Sequence, residues 1–132
     1  MKLLIIFNPR AAHGRSASRL TDIRDSFDAL GIETHIESTR YPDHARRLVR
    51  DTDLNAYDGV VAAGGDGTLF EVLNGLYTHS KSDRVPLGLL PTGTGNAFSR
   101  ELKPDMVSWK DALDILKCAK LRQIDVGMVH SA

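Results

Sequence analysis

The chain is 132 residues long, enough for one domain with its own core, and its 42% hydrophobic and 26% charged residues are ordinary for a globular protein. Lys plus Arg and Asp plus Glu both total 17, so no global field draws the domain to nucleic acid or to an acidic membrane. The single cysteine, Cys118, excludes a disulfide within the chain, and its apolar helical surroundings predict a core position.

The chain opens with a predicted buried strand at residues 1–7, which runs into the turn Asn8-Pro9-Arg10. This apolar run is too short for a signal-peptide core or a membrane span, so a cytoplasmic location is expected. A helix follows, with Gly31 just beyond its end, because apolar residues recur at three- and four-residue spacing. These residues are Leu20, Ile23, Phe27 and Leu30.

Strand-like and helix-like segments then alternate along the rest of the chain. The predicted strands are residues 32–36, 60–63 and 85–90, with a final strand near Gln123. Helices are predicted after Asp43, whose side chain can cap the helix, from Thr68, and from a capping box formed by Ser108 and Asp111. The alternation predicts an α/β fold with an open, mostly parallel, Rossmann-like sheet between flanking helices.

The turn Gly64-Gly65-Asp66-Gly67-Thr68 joins an apolar strand to an amphipathic helix. Such a junction presents unpaired backbone N–H groups and the positive end of a helix dipole, and both favour a phosphate. A carboxylate would repel that phosphate unless it has another task, such as holding a metal ion or taking a proton from an attacking hydroxyl. A hairpin turn at Asp66-Gly67 is disfavoured, because the residues that follow have helical periodicity.

The carboxyl ends of four predicted strands carry loops rich in Gly, Thr, Asn and Arg. In an open α/β sheet these ends meet at one edge, where ligands bind. The opposite strand ends lack this composition, so scattered turn residues do not explain it. We therefore predict a shared crevice lined by Asn8-Pro9-Arg10, Ser38-Thr39-Arg40, residues 64–68 and Thr92-Gly93-Thr94-Gly95-Asn96.

Together these loops resemble the catalytic domain of the diacylglycerol kinase family, which includes sphingosine kinases and bacterial lipid kinases. The resemblance covers nearly the whole chain and rests on Asn-Pro-Arg at 8–10, Ser-Thr-Arg at 38–40, Gly-Gly-Asp-Gly-Thr at 64–68 and Pro-Thr-Gly-Thr-Gly-Asn at 91–96. The turn at 64–68 is also similar to that of NAD kinases and phosphofructokinases, which implies the same type of nucleotide-binding fold. The first and last motifs narrow the resemblance to lipid kinases.

The resemblance implies a site for ATP and Mg²⁺. Asp66 is implied as the catalytic residue, either as a Mg²⁺ ligand or as the group that activates the lipid hydroxyl. The residues implied to bind the nucleotide are Asn8, Arg10, Thr39, Gly64, Gly65, Gly67, Thr68, Glu71, Gly93, Thr94 and Asn96. Simpler roles stay open for three of them: Thr39 as a strand end, Glu71 as a solvated helix position and Asn96 as a helix cap.

The implied function is that of an ATP-dependent lipid kinase, which transfers the γ-phosphoryl group of ATP to a hydroxyl of diacylglycerol or a sphingoid base. Ala97 follows Asn96 at a position where many bacterial members carry Asp and sphingoid-base kinases often carry Ala. We assign residues 1–125 to the nucleotide-binding domain and residues 126–132 to the start of a second, β-rich domain that would bind the lipid. The 132-residue chain alone is therefore expected to be inactive.

Peripheral contact with the inner face of the membrane and a homodimer are both compatible with the resemblance. Two other classes of function stay open: an NAD kinase-like phosphotransferase acting on a soluble acceptor, and a non-catalytic nucleotide-binding module. The Asn-Pro-Arg motif at the end of the first strand weighs against the former, and Asp66 weighs against the latter.

Overall fold

The fold, seen in a computed structural model, is described for residues 1–102, 104–105, 108–119, 121, 123–124 and 126–128. The described strands are β1 (Lys2–Phe7), β2 (Glu33–Ser38), β3 (Gly59–Gly64) and β4 (Leu87–Pro91). The described α-helices are α1 (Leu20–Ala29), α2 (His44–Asp51), α3 (Asp66–Leu76), α4 (Ala97–Leu102) and α5 (Trp109–Cys118). All four strands run parallel in the order β2-β1-β3-β4, so the predicted α/β fold is confirmed.

Alternate side chains of β1 enter two separate hydrophobic cores. Leu3, Ile5 and Phe7 pack on the face of the sheet that α1 and α5 cover, whereas Leu4 and Ile6 pack on the face that α2 and α3 cover. Both β1 and β3 are interior strands with helices on each side, which explains why their sequences are continuous apolar runs. The two cores hold the carboxyl ends of these strands in fixed register.

The local signals for helix ends are largely confirmed. Gly31 follows α1 in the left-handed conformation, with φ of 71°, and Ser108 and Asp111 form the predicted capping box at the start of α5. Helix α3 begins at Asp66, two residues before the predicted start, so the turn leads into the helix without an intervening loop. In the described part of the chain, no helix has the length and apolar character needed to cross a membrane.

Three local predictions are wrong. Asp43 occupies the N-cap position of α2, but its side chain does not cap the helix because it binds Arg46 instead. Cys118 is exposed, since it is the last residue of α5 and lies beyond the residues of that helix that enter the core. The final strand predicted near Gln123 is not found among the described residues 121, 123–124 and 126–128, of which Leu121 and Met128 are 72% and 64% exposed and so gain little from burial.

Candidate functional site

The four polar loops lie side by side at the carboxyl edge of the sheet, as their order in the sequence predicts. Backbone hydrogen bonds join them just beyond the strand ends, from Thr39 N to Phe7 O (2.9 Å), from Asn8 N to Ala63 O (2.9 Å) and from Thr92 N to Gly64 O (3.0 Å). The parallel ladders therefore set the spacing between the loops.

An open crevice of about 260 Å³ lies between the loops that follow β1, β2 and β3. The crevice brings together part of the predicted nucleotide-binding set: Asn8, Arg10, Thr39, Gly67, Thr68 and Glu71. It also includes Arg40, Tyr41 and Pro42. Sequence reasoning did not assign a role to Tyr41 or Pro42, although both directly follow the Ser-Thr-Arg motif.

The other predicted residues are absent from the described lining of this crevice. Gly64, Gly65, Asp66 and Asn96 instead line a much smaller cleft of about 10 Å³. Such a volume holds about one water molecule, so this cleft separates two loops and is too small for a nucleotide. Thr94 is exposed on the loop beyond β4.

The three glycines of the turn at 64–68 have different surroundings. A Cβ on Gly64 would lie 2.8 Å from Thr68 Cβ, so Gly64 is required for the packing of that side chain. A Cβ on Gly65 would lie 3.5 Å from Gly93 Cα, where the loop after β4 passes. A Cβ on Gly67 would meet nothing within 4 Å. Only Gly67 therefore leaves the start of α3 open to the large crevice.

Asn8 connects the first loop to the start of α3. Its Nδ2 donates a hydrogen bond to Thr68 Oγ1 (3.2 Å), and its Oδ1 accepts one from Arg10 N (2.9 Å). Because both ends of the amide have partners, Asn8 fixes Thr68 and the backbone of Arg10 at the crevice. Thr68 is 5% exposed, and its hydroxyl hydrogen is still available as a donor.

The loop after β1 contains three consecutive residues in the left-handed conformation. Ala12, His13 and Gly14 have φ of 53°, 58° and 86°, and Gly14 N donates to Arg10 O (3.1 Å) to close the turn. This conformation costs roughly 1–2 kcal/mol at a residue with a Cβ, so Ala12 and His13 are strained. Backbone strain of this kind is common at ligand-binding sites.

Asp66 lines the smaller cleft and binds the start of α4. Its Oδ2 accepts a hydrogen bond from Ala97 N (3.1 Å) and its Oδ1 accepts one from Phe98 N (3.3 Å). Asp66 therefore acts as the N-terminal cap of α4, a role that the sequence did not suggest. Each of its oxygens keeps a lone pair for another partner.

The loop after β4 packs directly on the turn at 64–68. A Cβ on Gly93 would lie 2.5 Å from Gly65 Cα, so only glycine fits there. Asn96 has φ of 51°, and its Nδ2 donates to Gly93 O (2.6 Å), so its side chain closes the loop and does not cap the helix. The hydroxyl of Thr92 is buried and has no hydrogen-bond partner among the described residues.

Glu71 binds the start of α2. Its Oε1 accepts a hydrogen bond from Asp43 N (3.0 Å) and its Oε2 accepts one from Ala45 N (3.2 Å). The Asp43 side chain is bound to Arg46 at 2.7 and 2.8 Å, and this hydrogen-bonded ion pair lowers the pKa of Asp43. Glu71 thus supplies the cap that Asp43 was predicted to supply.

Carboxylates are sparse at this edge of the sheet. The described residues contain no group of three or more His, Cys, Asp or Glu side chains that could hold a metal ion. Mg²⁺ is commonly bound by one or two carboxylates together with phosphate oxygens and water. Asp66 and Glu71 are the two carboxylates of α3 at this edge, and each of the Asp66 oxygens keeps a lone pair with which it could bind such an ion.

Comparisons with known proteins find similarity to lipid kinases. The family model for the diacylglycerol kinase catalytic domain matches residues 2–129. Sphingoid long-chain bases kinase 1 of Arabidopsis thaliana is 39% identical over 74% of this chain and 13% of that protein. Diacylglycerol kinase of Bacillus subtilis is 33% identical over 96% of this chain and 41% of that protein.

The fold is similar to that of a solved structure. A crystal structure of a diacylglycerol kinase from Bacillus anthracis strain Sterne superposes with a TM-score of 0.76 and 31% identity, over 90% of this chain and 42% of that protein. The chain therefore spans less than half the length of the relatives that it matches.

Proposed function

Because this chain belongs to the diacylglycerol kinase catalytic domain family, we propose that it is the nucleotide-binding part of an ATP-dependent lipid kinase. The proposed reaction transfers the γ-phosphoryl group of ATP to a hydroxyl of diacylglycerol or of a sphingoid base. Sphingoid-base kinases and diacylglycerol kinases are both among the relatives, so both acceptor classes are retained.

The observation that carries this proposal is the availability of the α3 amides beside the large crevice. The first amides of α2 and α4 are bound by Glu71 and Asp66. At the start of α3, Gly65 supplies no capping side chain and no other side chain of the described residues caps the helix, so its first N–H groups are available to bind an anion. Arg10 lines the same crevice and adds a cation.

The crevice has two chemically different parts. Gly67, Thr68 and Arg10 form the part suited to phosphates, whereas Tyr41 and Pro42 form an apolar part suited to the rest of a nucleotide. Its volume of about 260 Å³ is slightly below that of most ligand pockets, which are roughly 300–1,000 Å³. We therefore propose ATP as the ligand, with Asn8 and Glu71 holding the walls.

Asp66 is proposed to act on the acceptor side of the reaction. The hydroxyl oxygen of the lipid forms a bond to the γ-phosphorus, the bond from that phosphorus to the β–γ bridging oxygen breaks, and ADP leaves. The hydroxyl proton goes to the Asp66 carboxylate if Asp66 serves as the base. If Asp66 instead holds Mg²⁺, the ion supplies neutralisation of phosphate charge.

The lipid itself would bind outside the crevice. We propose that residues 126–132 begin a second, β-rich domain, which carries the acceptor site. We also propose that the full-length protein is cytoplasmic and makes peripheral contact with the inner face of the membrane. A homodimer is compatible with this arrangement. An NAD kinase-like reaction on a soluble acceptor is the alternative, and it shares the turn at 64–68.

The test is a lipid-phosphorylation panel on the full-length protein that carries this chain. Asp66→Asn is expected to lower kcat by about 10²–10⁴-fold with a much smaller change in KM for ATP, because the charge is lost but the side-chain size is kept. Asp25→Asn on the exposed surface of α1 is the matched control. Normal turnover by Asp66→Asn, or phosphorylation of soluble acceptors only, would contradict the proposal.

A further inference from the structure

We propose that Glu71 is a positioning residue, which sets the wall of the crevice formed by residues 39–42 through its hydrogen bonds to α2. The inference deepens the proposed function and rests on it for the identity of the ligand. Glu71 was predicted to bind the nucleotide, and it does line the crevice. Its two oxygens also accept hydrogen bonds from backbone amides of α2, and these bonds are the observation on which the positioning role rests.

The two amides that Glu71 binds lie at the start of α2. Asp43 N is 3.0 Å from Oε1 and Ala45 N is 3.2 Å from Oε2, so one carboxylate spans the N-cap and the first turn. Asp43 adopts the left-handed conformation, with φ of 70°, which costs a residue with a Cβ roughly 1–2 kcal/mol. The hydrogen bond from its own amide to Glu71 holds it in this conformation.

The spacing between α2 and α3 is set one helical turn further along. A Cβ on Gly75 would lie 2.7 Å from Arg46 O and 2.8 Å from Val49 Cβ, so the two helices are in close contact there. The helices cannot slide freely along this contact. We infer that Glu71 fixes the position of the start of α2 relative to α3 at the end nearest the crevice.

The wall formed by residues 39–42 leads directly into that end of α2. Arg40 N donates a hydrogen bond to His44 Nδ1 (2.9 Å), and the ring of Tyr41 stacks on the ring of His44 with centroids 4.3 Å apart. His44 is the first residue of α2. A shift of the start of α2 therefore shifts Arg40 and Tyr41, both of which line the crevice.

Glutamine is a discriminating substitution at position 71. A carboxylate offers two acceptors for two amides, whereas a glutamine offers one acceptor and one NH₂ group that repels the second N–H. Loss of a negative charge beside the crevice would, by electrostatics alone, strengthen the binding of any phosphate ligand. If Glu71→Gln binds ATP more weakly, the cause must therefore be a change in the geometry of the crevice, because the change in charge alone would have the opposite effect.

The experiment uses the 132-residue chain with ATP and with inorganic tripolyphosphate, which needs only the phosphate part of the crevice. We expect Glu71→Gln to weaken ATP binding about tenfold by calorimetry, with tripolyphosphate affinity unchanged or slightly higher. Amide hydrogen exchange at Asp43 or Ala45 in the nucleotide-free chain is expected to accelerate about tenfold. Glu71→Asp, which keeps the charge but is too short to span both amides, should behave in the same way.

The control is Glu33→Gln, which makes the same chemical change at the opposite end of β2, where Glu33 is exposed. Unchanged exchange at Asp43 and Ala45 in Glu71→Gln would overturn the positioning role, whatever the ligand. Equal weakening of ATP and tripolyphosphate would also overturn it, because the effect would then not be confined to the wall. If the wild type binds neither ligand, the proposed function fails, while the exchange measurement still decides whether Glu71 holds α2.

Discussion

Gly67→Ala separates the proposed anion site from the stability of the fold. A Cβ at this position meets nothing within 4 Å, and the residue lies in the first turn of α3. Replacement of a glycine by alanine in a compatible helical conformation stabilises a protein by about 0.4–1 kcal/mol. The new methyl group would, however, stand at the open start of α3, where a phosphate is proposed to bind. We expect ATP affinity to fall at least about tenfold, or roughly 1.4 kcal/mol.

The measurement combines urea unfolding with calorimetric titration of ATP into the 132-residue chain. The expected result is a higher unfolding midpoint together with weaker binding, a combination that general damage to the fold cannot produce. Gly127→Ala is the matched control, because a Cβ there also meets nothing within 4 Å and the residue does not line the crevice. ATP affinity equal to that of the wild type would refute the assignment of the anion site to the start of α3.

Two further predictions concern stability. Gly64→Ala is expected to destabilise the fold by about 1–3 kcal/mol in urea unfolding, because the new Cβ would lie 2.8 Å from the buried Thr68 Cβ; an unchanged midpoint would contradict the packing argument. Arg46 lowers the pKa of Asp43, so their ion pair contributes stability above the unfolded pKa, and this contribution is lost as the pH falls through the lower folded value. Asp43→Asn should therefore be less stable than the wild type at neutral pH, and the difference should shrink as the pH falls through the lowered pKa of Asp43; a difference that stays constant into acid would contradict this.

The strands and helices could be predicted from the sequence because each is indicated by a local pattern of apolar residues. The apolar runs of β1 and β3 and the periodic apolar residues of α1 each reflect burial on the sheet, and each is confirmed. The meeting of four loops at one edge followed from the parallel connection of strands, which is a rule of topology and needs no knowledge of side-chain contacts.

The capping of α2 could not be predicted, because it depends on residues distant in sequence. Asp43 has the residue type expected at an N-cap, but Arg46 lies one turn away and binds its carboxylate. The actual cap, Glu71, is 28 residues from Asp43 along the chain. Helix periodicity alone placed Glu71 on α3 and gave no indication of which helix it would face.

The individual roles of the glycines could not be predicted from the sequence either. A glycine-rich turn indicates close approach of backbone to something, but it does not indicate whether that partner is a ligand or another loop. Gly65 and Gly93 approach each other, whereas Gly67 faces the crevice. The distinction depends on the path of the loop after β4, which adjoins the turn only because β4 pairs with β3.

The two carboxylates of α3 also determine how this edge of the protein unfolds. Asp66 and Glu71 belong to the same helix, and each is bound to the first amides of a different neighbour, α4 and α2. Transient unravelling of the first turns of α3 therefore exposes the amides of all three helices in a single event. Segments that lie far apart along the chain form one cooperative unit of local opening, and a ligand bound at the start of α3 slows the opening of all of them together.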